Sequence, residues 1–222
     1  MGQFRSIPAL DRVNRESAAR LLSALGEPDQ DVWLPTAIPV IAGGPSWPTR
    51  PAWRRIRSGK QPIVSSSGLT DPFDGVDGPN IGYAVEVALA TADEIPEQLH
   101  PSWLLDLTIA VSNQAAVDGR FHLRAAKFGV FLFGAPGAPA PYSDWLDRTG
   151  TLGFLIGLPI PEAETTMNLP AGNAVLLMAK LLRPAEYEFV ASRGYDGARI
   201  LVERFGMDGS YHLSSLKRAS VV

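Results

Sequence analysis

The chain has 222 residues, 45% of them hydrophobic and 19% charged, which is enough apolar material for the core of one large domain. Its formal net charge is -3 and its pI about 5.6, the wrong sign for a protein whose task is to coat nucleic acid. It has no cysteine, which excludes disulfides, thiolate nucleophiles, zinc–thiolate sites and iron–sulfur clusters and suits a reducing cytoplasm.

The N-terminus, MGQFRSIPALDR, carries no apolar signal core. Gly2 and Ser6 fit the permissive M-G-x-x-x-Ser/Thr acylation pattern, which short sequences match by chance. A first helix is predicted from Leu10, Val13, Leu21, Leu22 and Leu25, which fall near one face, with Gly26 and Pro28 as its stop. Residues 35–62 are rich in Pro and Gly. Short strands at Thr36–Ile41 and Trp53–Ile56 are expected there, confined to edges or bulges by Pro39, Pro45, Pro48 and Pro51.

Ile81, Tyr83, Val85, Val87 and Leu89 alternate with smaller residues and predict a strand, its small-residue face suited to a closely packed helix. A helix follows at Ser102–Val117, ended by Asp118-Gly119. Trp103, Leu107, Ala110, Val111 and Gln114 line one side, and Leu104 and Leu105 widen the apolar arc. Phe128–Phe133 reads as a buried strand, and Gly134 to Pro141 as a proline-rich loop. Leu152–Leu158 and Ala174–Leu182 read as strands. The run Ala174–Ala179 ends at Lys180 and is too short to span a bilayer, so no membrane contact is expected. Two short helices, Pro184–Ser192 and Gly197–Phe205, are separated by Gly194, and the residues from Met207 on are expected to be loosely tied.

This order predicts an α+β fold, a mixed, mostly antiparallel sheet packed between helices in a single domain. It divides into an N-terminal helix and Pro-rich lead-in at 1–62, a main domain at 63–206 and a tail at 207–222.

Motifs of chemistry fail at named positions. His100, His122 and His212 lie far apart and show no metal-ligand spacing. Ser65-Ser66-Ser67-Gly68 is similar to a nucleophile elbow, but Val64 replaces its first glycine and Pro72 opposes the helix that should follow. Asp71, Asp74 and Asp77 are spaced by three, which an EF-hand loop does not tolerate. The surrounding Pro and Gly mark an exposed turn, with partner binding and cation binding as the rarer uses. Arg50, Arg54, Arg55, Arg57 and Lys60 run beside Trp47 and Trp53. In an acidic chain this run is a solvated edge or a contact for an acidic partner rather than a nucleic-acid stripe. No phosphate-binding glycine motif occurs, and Glu162/Glu164 and Glu186/Glu188 read as helix first turns. No cofactor and no metal is expected.

Ser67-Gly68-Leu69-Thr70-Asp71-Pro72, the strand Gly82-Tyr83-Ala84-Val85-Glu86-Val87 and the Trp-led helix at Trp103 occur in an order that resembles suppressor-of-fused-like domains. Phe154–Leu158 with Pro161-Glu162-Ala163-Glu164, and Pro184–Glu188 with Gly194, extend the resemblance over roughly 63–205. It implies a sheet sandwiched by helices, a protein-binding role and, for a bacterial member, immunity against a protein toxin. The family's animal members hold a peptide with an acidic residue after the Trp-led helix. Phe121–Lys127 has no carboxylate, so that site is not transferred.

The expectation is a non-enzymatic, cytoplasmic protein-binding module, monomer or homodimer, with Asp71, Asp74, Asp77, Trp53 and Arg54 as candidate contacts. Two alternatives stand beside it. One is a structural homodimer. The other is a hydrolase or transferase in which His122, Ser66 and a loop aspartate meet in a cleft.

Overall fold

The computed structural model describes residues 16, 22–23, 25–36, 43–58, 61–73, 75–76, 80–136, 142–161, 163–169 and 171–222. Most of the predicted first helix, the strand expected at 36–41, Gly2, Ser6, Lys60, Asp74 and Asp77 lie outside them.

One mixed sheet organises the chain. Among the described residues its nine strands are β1 (Glu27–Trp33), β2 (Ala52–Ser58), β3 (Gln61–Ser67), β4 (Val85–Thr91), β5 (Phe131–Pro136), β6 (Thr151–Leu158), β7 (Thr166–Leu169), β8 (Gly172–Leu182) and β9 (Leu213–Ser214). The spatial order is β1-β2-β3-β4-β8-β6-β5, with β7 beside β8 and β9 beside β4. Only β4–β8 and β4–β9 are parallel, so the sheet is mixed and mostly antiparallel, as expected. Among the described residues three α-helices can be followed end to end beside it: α1 (Trp103–Asp118), α2 (Phe121–Phe128) and α3 (Pro184–Met207).

β4 is buried at every position because helices and loops cover both faces of the sheet's middle. It starts later than its alternation suggests. Gly82 and Ala84 both sit at φ +56°, which no strand allows, and the Tyr83 N–H donates to the Leu69 carbonyl at 2.8 Å. Val85, Val87 and Leu89 face the large-residue side, and it is there, not on the small-residue side, that α1 packs. Ala88 and Ala90 meet Leu22, Leu25, Ile56 and Met178.

Ser102 caps α1, its hydroxyl accepting from the Leu105 N–H, and Gly119 ends the helix at φ +65°. Leu104, Leu105, Leu107, Thr108, Val111 and Ala115 are buried, so the inward face is rotated from the predicted one. Trp103, Ala110 and Gln114 stand at its margin.

β1 and β2 belong to the same sheet, so Glu27–Trp33 and Ala52–Ser58 are part of the main domain rather than a lead-in. Trp53 of β2 is 1% exposed and Trp47 is buried. Their indole N–H groups donate to Ser112 Oγ and Asn113 Oδ1 of α1, each at 3.0 Å.

The C-terminal segment is tied down, contrary to expectation. Glu186, fully buried in the first turn of α3, accepts from Arg218 through both guanidinium nitrogens at 2.6 and 2.5 Å, and from the N–H groups of Arg183 and Val221. Lys180 of β8 is buried under residues 210–213, donating to Ser210 Oγ at 3.0 Å and the Leu213 carbonyl at 2.5 Å over the Phe205 ring. Burial, then the nearby Arg218 charge, pulls the Lys180 ammonium down to about 7. These polar residues read as a solvated tail in sequence, and their partners lie 30–37 positions away.

α3 is broken at Gly194 (φ +60°, ψ −135°) into two helical segments, as the two helices predicted on either side of that glycine require. It crosses the sheet at the facing pair Gly134–Gly153, where the Tyr187 ring occupies the space a side chain would need. A Cβ at Gly153 would lie 2.4 Å from that ring.

Candidate partner-binding edge

The expected site residues do not form one cluster. Trp53 is a core residue, held on α1, and its side chain is withdrawn from any partner. Arg54 is half-buried at the neighbouring position of β2, where the pleat turns side chains to the opposite face. Asp71 is half-buried and accepts from Thr49 Oγ1 at 2.5 Å. The turn before it is fixed by Glu86, whose carboxyl accepts from Ser66 Oγ (2.5 Å), Gly68 N (3.1 Å), Thr70 N (2.9 Å) and Thr70 Oγ1 (2.8 Å). Full burial pushes the Glu86 carboxyl up, and those bonds oppose the shift.

Ser66 is therefore buried and committed to Glu86. His122 lines a cleft of about 490 Å³ between α2 and β6–β8 that includes neither Ser66 nor Asp71. His100 stacks on Trp33 at 5.8 Å, and His212 is buried at the C-terminal segment, where burial and then Lys180 hold its imidazole below the ordinary range. Among the described residues no group of three or more His, Asp or Glu could hold a metal ion. No helix among them is long and apolar enough to cross a membrane.

The feature that sequence reading missed is the far edge of the sheet. Among the described residues β5 is the last strand in the order and pairs with β6 alone. Phe131 and Phe133 turn towards α2, their rings 5.4 and 4.9 Å from Phe121. Leu132 and Val130 turn towards Val190, Ala198 and Leu201 of α3. The two helices thus stand on opposite faces of the sheet with the free edge between them. At the start of β5 they enclose a groove of about 290 Å³, lined by Arg124 and Phe128 on one side and by Ala191, Gly194 and Tyr195 on the other. Phe128 is 40% exposed and Tyr195 60% exposed, large apolar surface that is normally covered.

α2 escaped prediction because it is eight residues long, contains Arg124, Lys127 and His122, and buries only Phe121 and, in part, His122 and Ala125. The available signal was its bracket of Gly119 and Gly129.

No family model matches the chain, and no curated protein matches it in sequence. Among solved structures it is similar to a chain of the Sufu–Fu complex crystal structure, with a TM-score of 0.53 over 92% of both chains and 14% identity. The chain has the suppressor-of-fused-like fold. Drosophila Suppressor of Fused also aligns, with a TM-score of 0.49 and 16% identity, over 79% of this chain and 43% of that one. The fold match reaches well beyond residues 63–205, because β1 and β2 are integral to the sheet.

Proposed function

We propose that the chain is a non-enzymatic protein-binding module that seats an extended segment of its partner along β5, between α2 and α3. One observation carries this reading: an apolar sheet edge, without a charged residue in Phe131–Pro136, left open beside exposed Phe128 and Tyr195. Main-chain hydrogen bonds to the edge would supply affinity, and the groove would select a side chain. The fold neighbour's crystallisation in a Sufu–Fu complex supports a protein partner. The separation of Ser66, His122 and Asp71 supports a non-catalytic role.

The biological role we propose is immunity, neutralising a protein toxin. Asp71, with Asp74 and Asp77, is proposed as a second contact towards a basic enzyme surface, where charge speeds association. The test is co-expression with a toxin encoded beside this gene. Growth should be rescued, and amide exchange in residues 130–136 should slow in the complex. Neither complex nor rescue would sink the immunity role. A complex that leaves β5 exchange unchanged would move the contact elsewhere.

A further inference from the structure

The edge reading can be taken a step further, to the chemistry of the segment that seats there, and this step rests on that reading. From Gly119 to Ser143 the sequence carries Arg120, Arg124 and Lys127 and no carboxylate. All three cations are exposed on or beside α2, the wall that borders β5. Asp118 is the one acid at this wall. It pairs with Arg124 at 2.8 Å while Arg124 stays 44% exposed in its side chain. On the opposite wall the exposed charges are mixed: Glu188, Asp196 and Glu203 against Arg193 and Arg199, with Arg199 and Glu203 paired at 2.8 Å. The chain carries a net charge of -3, yet this corner is locally positive.

The positive and apolar surfaces also interleave. Among the described residues Arg124 is the only charged one lining the groove. Lys127 Nζ lies 4.9 Å from the centre of the exposed Phe128 ring. At Gly194, across the groove, an added side chain would meet nothing within 4 Å, so space is open for a partner's side chain.

We propose that the segment seated on β5 is an apolar, extended peptide carrying carboxylates, its aliphatic or aromatic side chain entering the groove and its acids meeting Arg124 and Lys127. Charge complementarity selects this occupant over a basic strand, which would meet like charge along α2, and over a neutral one, which would gain nothing from Arg124 and Lys127.

A phage-displayed random dodecapeptide library, selected on the full chain, tests this. Enriched sequences are expected to combine Asp or Glu with large apolar residues, and a synthetic representative should bind more weakly as salt rises. Two exposed-surface variants separate the claims. R124E/K127E should weaken the peptide at least tenfold, and F128S/Y195S should abolish binding, with circular dichroism checking that both remain folded. Peptides that need Phe128 and Tyr195 but are neutral or basic, and ignore R124E/K127E, would overturn the charge inference and leave the docking edge standing. Peptides indifferent to F128S/Y195S would overturn the docking edge itself. Self-association lost in F128S/Y195S would place a second copy in the groove and overturn the acidic peptide.

Discussion

The sheet ends in two edge strands built to opposite rules. β1 has the sequence EPDQDVW, with a proline, three acids and a register shift between Pro28 and Val32. Each is a device that discourages a further strand. β5 has the sequence FLFGAP, with no charge, and its six residues pair with β6 without interruption. One fold thus protects one edge and leaves the other regular, apolar and flanked by helices. Edges are costly to expose, because unpaired N–H and C=O groups invite aggregation, so an edge left open beside Phe128 and Tyr195 points to use.

The comparison can be broken most forcefully from behind α3. That helix is one wall of the β5 groove, and the Arg218–Glu186 pair fastens its first turn. Arg218→Ala leaves a buried carboxylate with only the N–H donors of Arg183 and Val221. It should cost roughly 3–5 kcal/mol in urea unfolding, because an uncompensated buried charge outweighs the pair's net worth. Partner binding should fall with it. Amide exchange at β1–β2, which share no residue with this knot, should change far less. A loss below 1 kcal/mol would show that α3 is held mainly by its apolar face.

Lys180 gives the same wall a pH dependence. Its folded value is about 7 against an ordinary 10.5. Between those values the unfolded chain keeps the lysine proton and the folded chain releases it. Stability therefore rises with pH across that window, and the penalty is complete below it. Thermal unfolding followed from pH 7 to 10 should show this rise, and Lys180→Met should flatten it. An unchanged slope in the variant would assign the effect to another group. A smaller effect is expected at the groove itself. Y195A should weaken partner binding by about 2 kcal/mol, roughly thirtyfold, with little change in unfolding, read by titration calorimetry.

The central sheet was legible because its signals are local. Alternation marked β4, apolar runs marked β6 and β8, Asp118-Gly119 ended α1, and Gly194 marked the break in α3. The edges were not legible, for physical reasons. β1 contains residues disfavoured in strands and forms through pairing with β2, with Trp33 opposite Trp53. The Arg218–Glu186 knot joins residues far apart in sequence, and no local pattern announces it. Trp53 looked like a surface aromatic beside arginines, but period two sends it inward while Arg54 turns away. The candidate edge was missed for the same reason that α2 was: its identity depends on which strand comes last in the sheet, and sequence order does not give that.

The smallest effect is expected at β1. Asp29 accepts from Arg57 Nε at 2.6 Å, but Arg57 is largely exposed, and its guanidinium is raised mainly by that hydrogen bond. Such exposed pairs add little to stability. Asp29→Val should thus leave unfolding nearly unchanged, and binding at β5 should be untouched. What should change is association. The substitution removes a charge from the protected edge and adds a β-branched residue, so light scattering at high concentration should detect more self-association than in the parent chain. If the variant stays as dispersed as the parent while F128S/Y195S reduces the parent's own association, then β5 is the edge that decides how this protein meets other chains, and the charges on β1 are not what keeps it solitary.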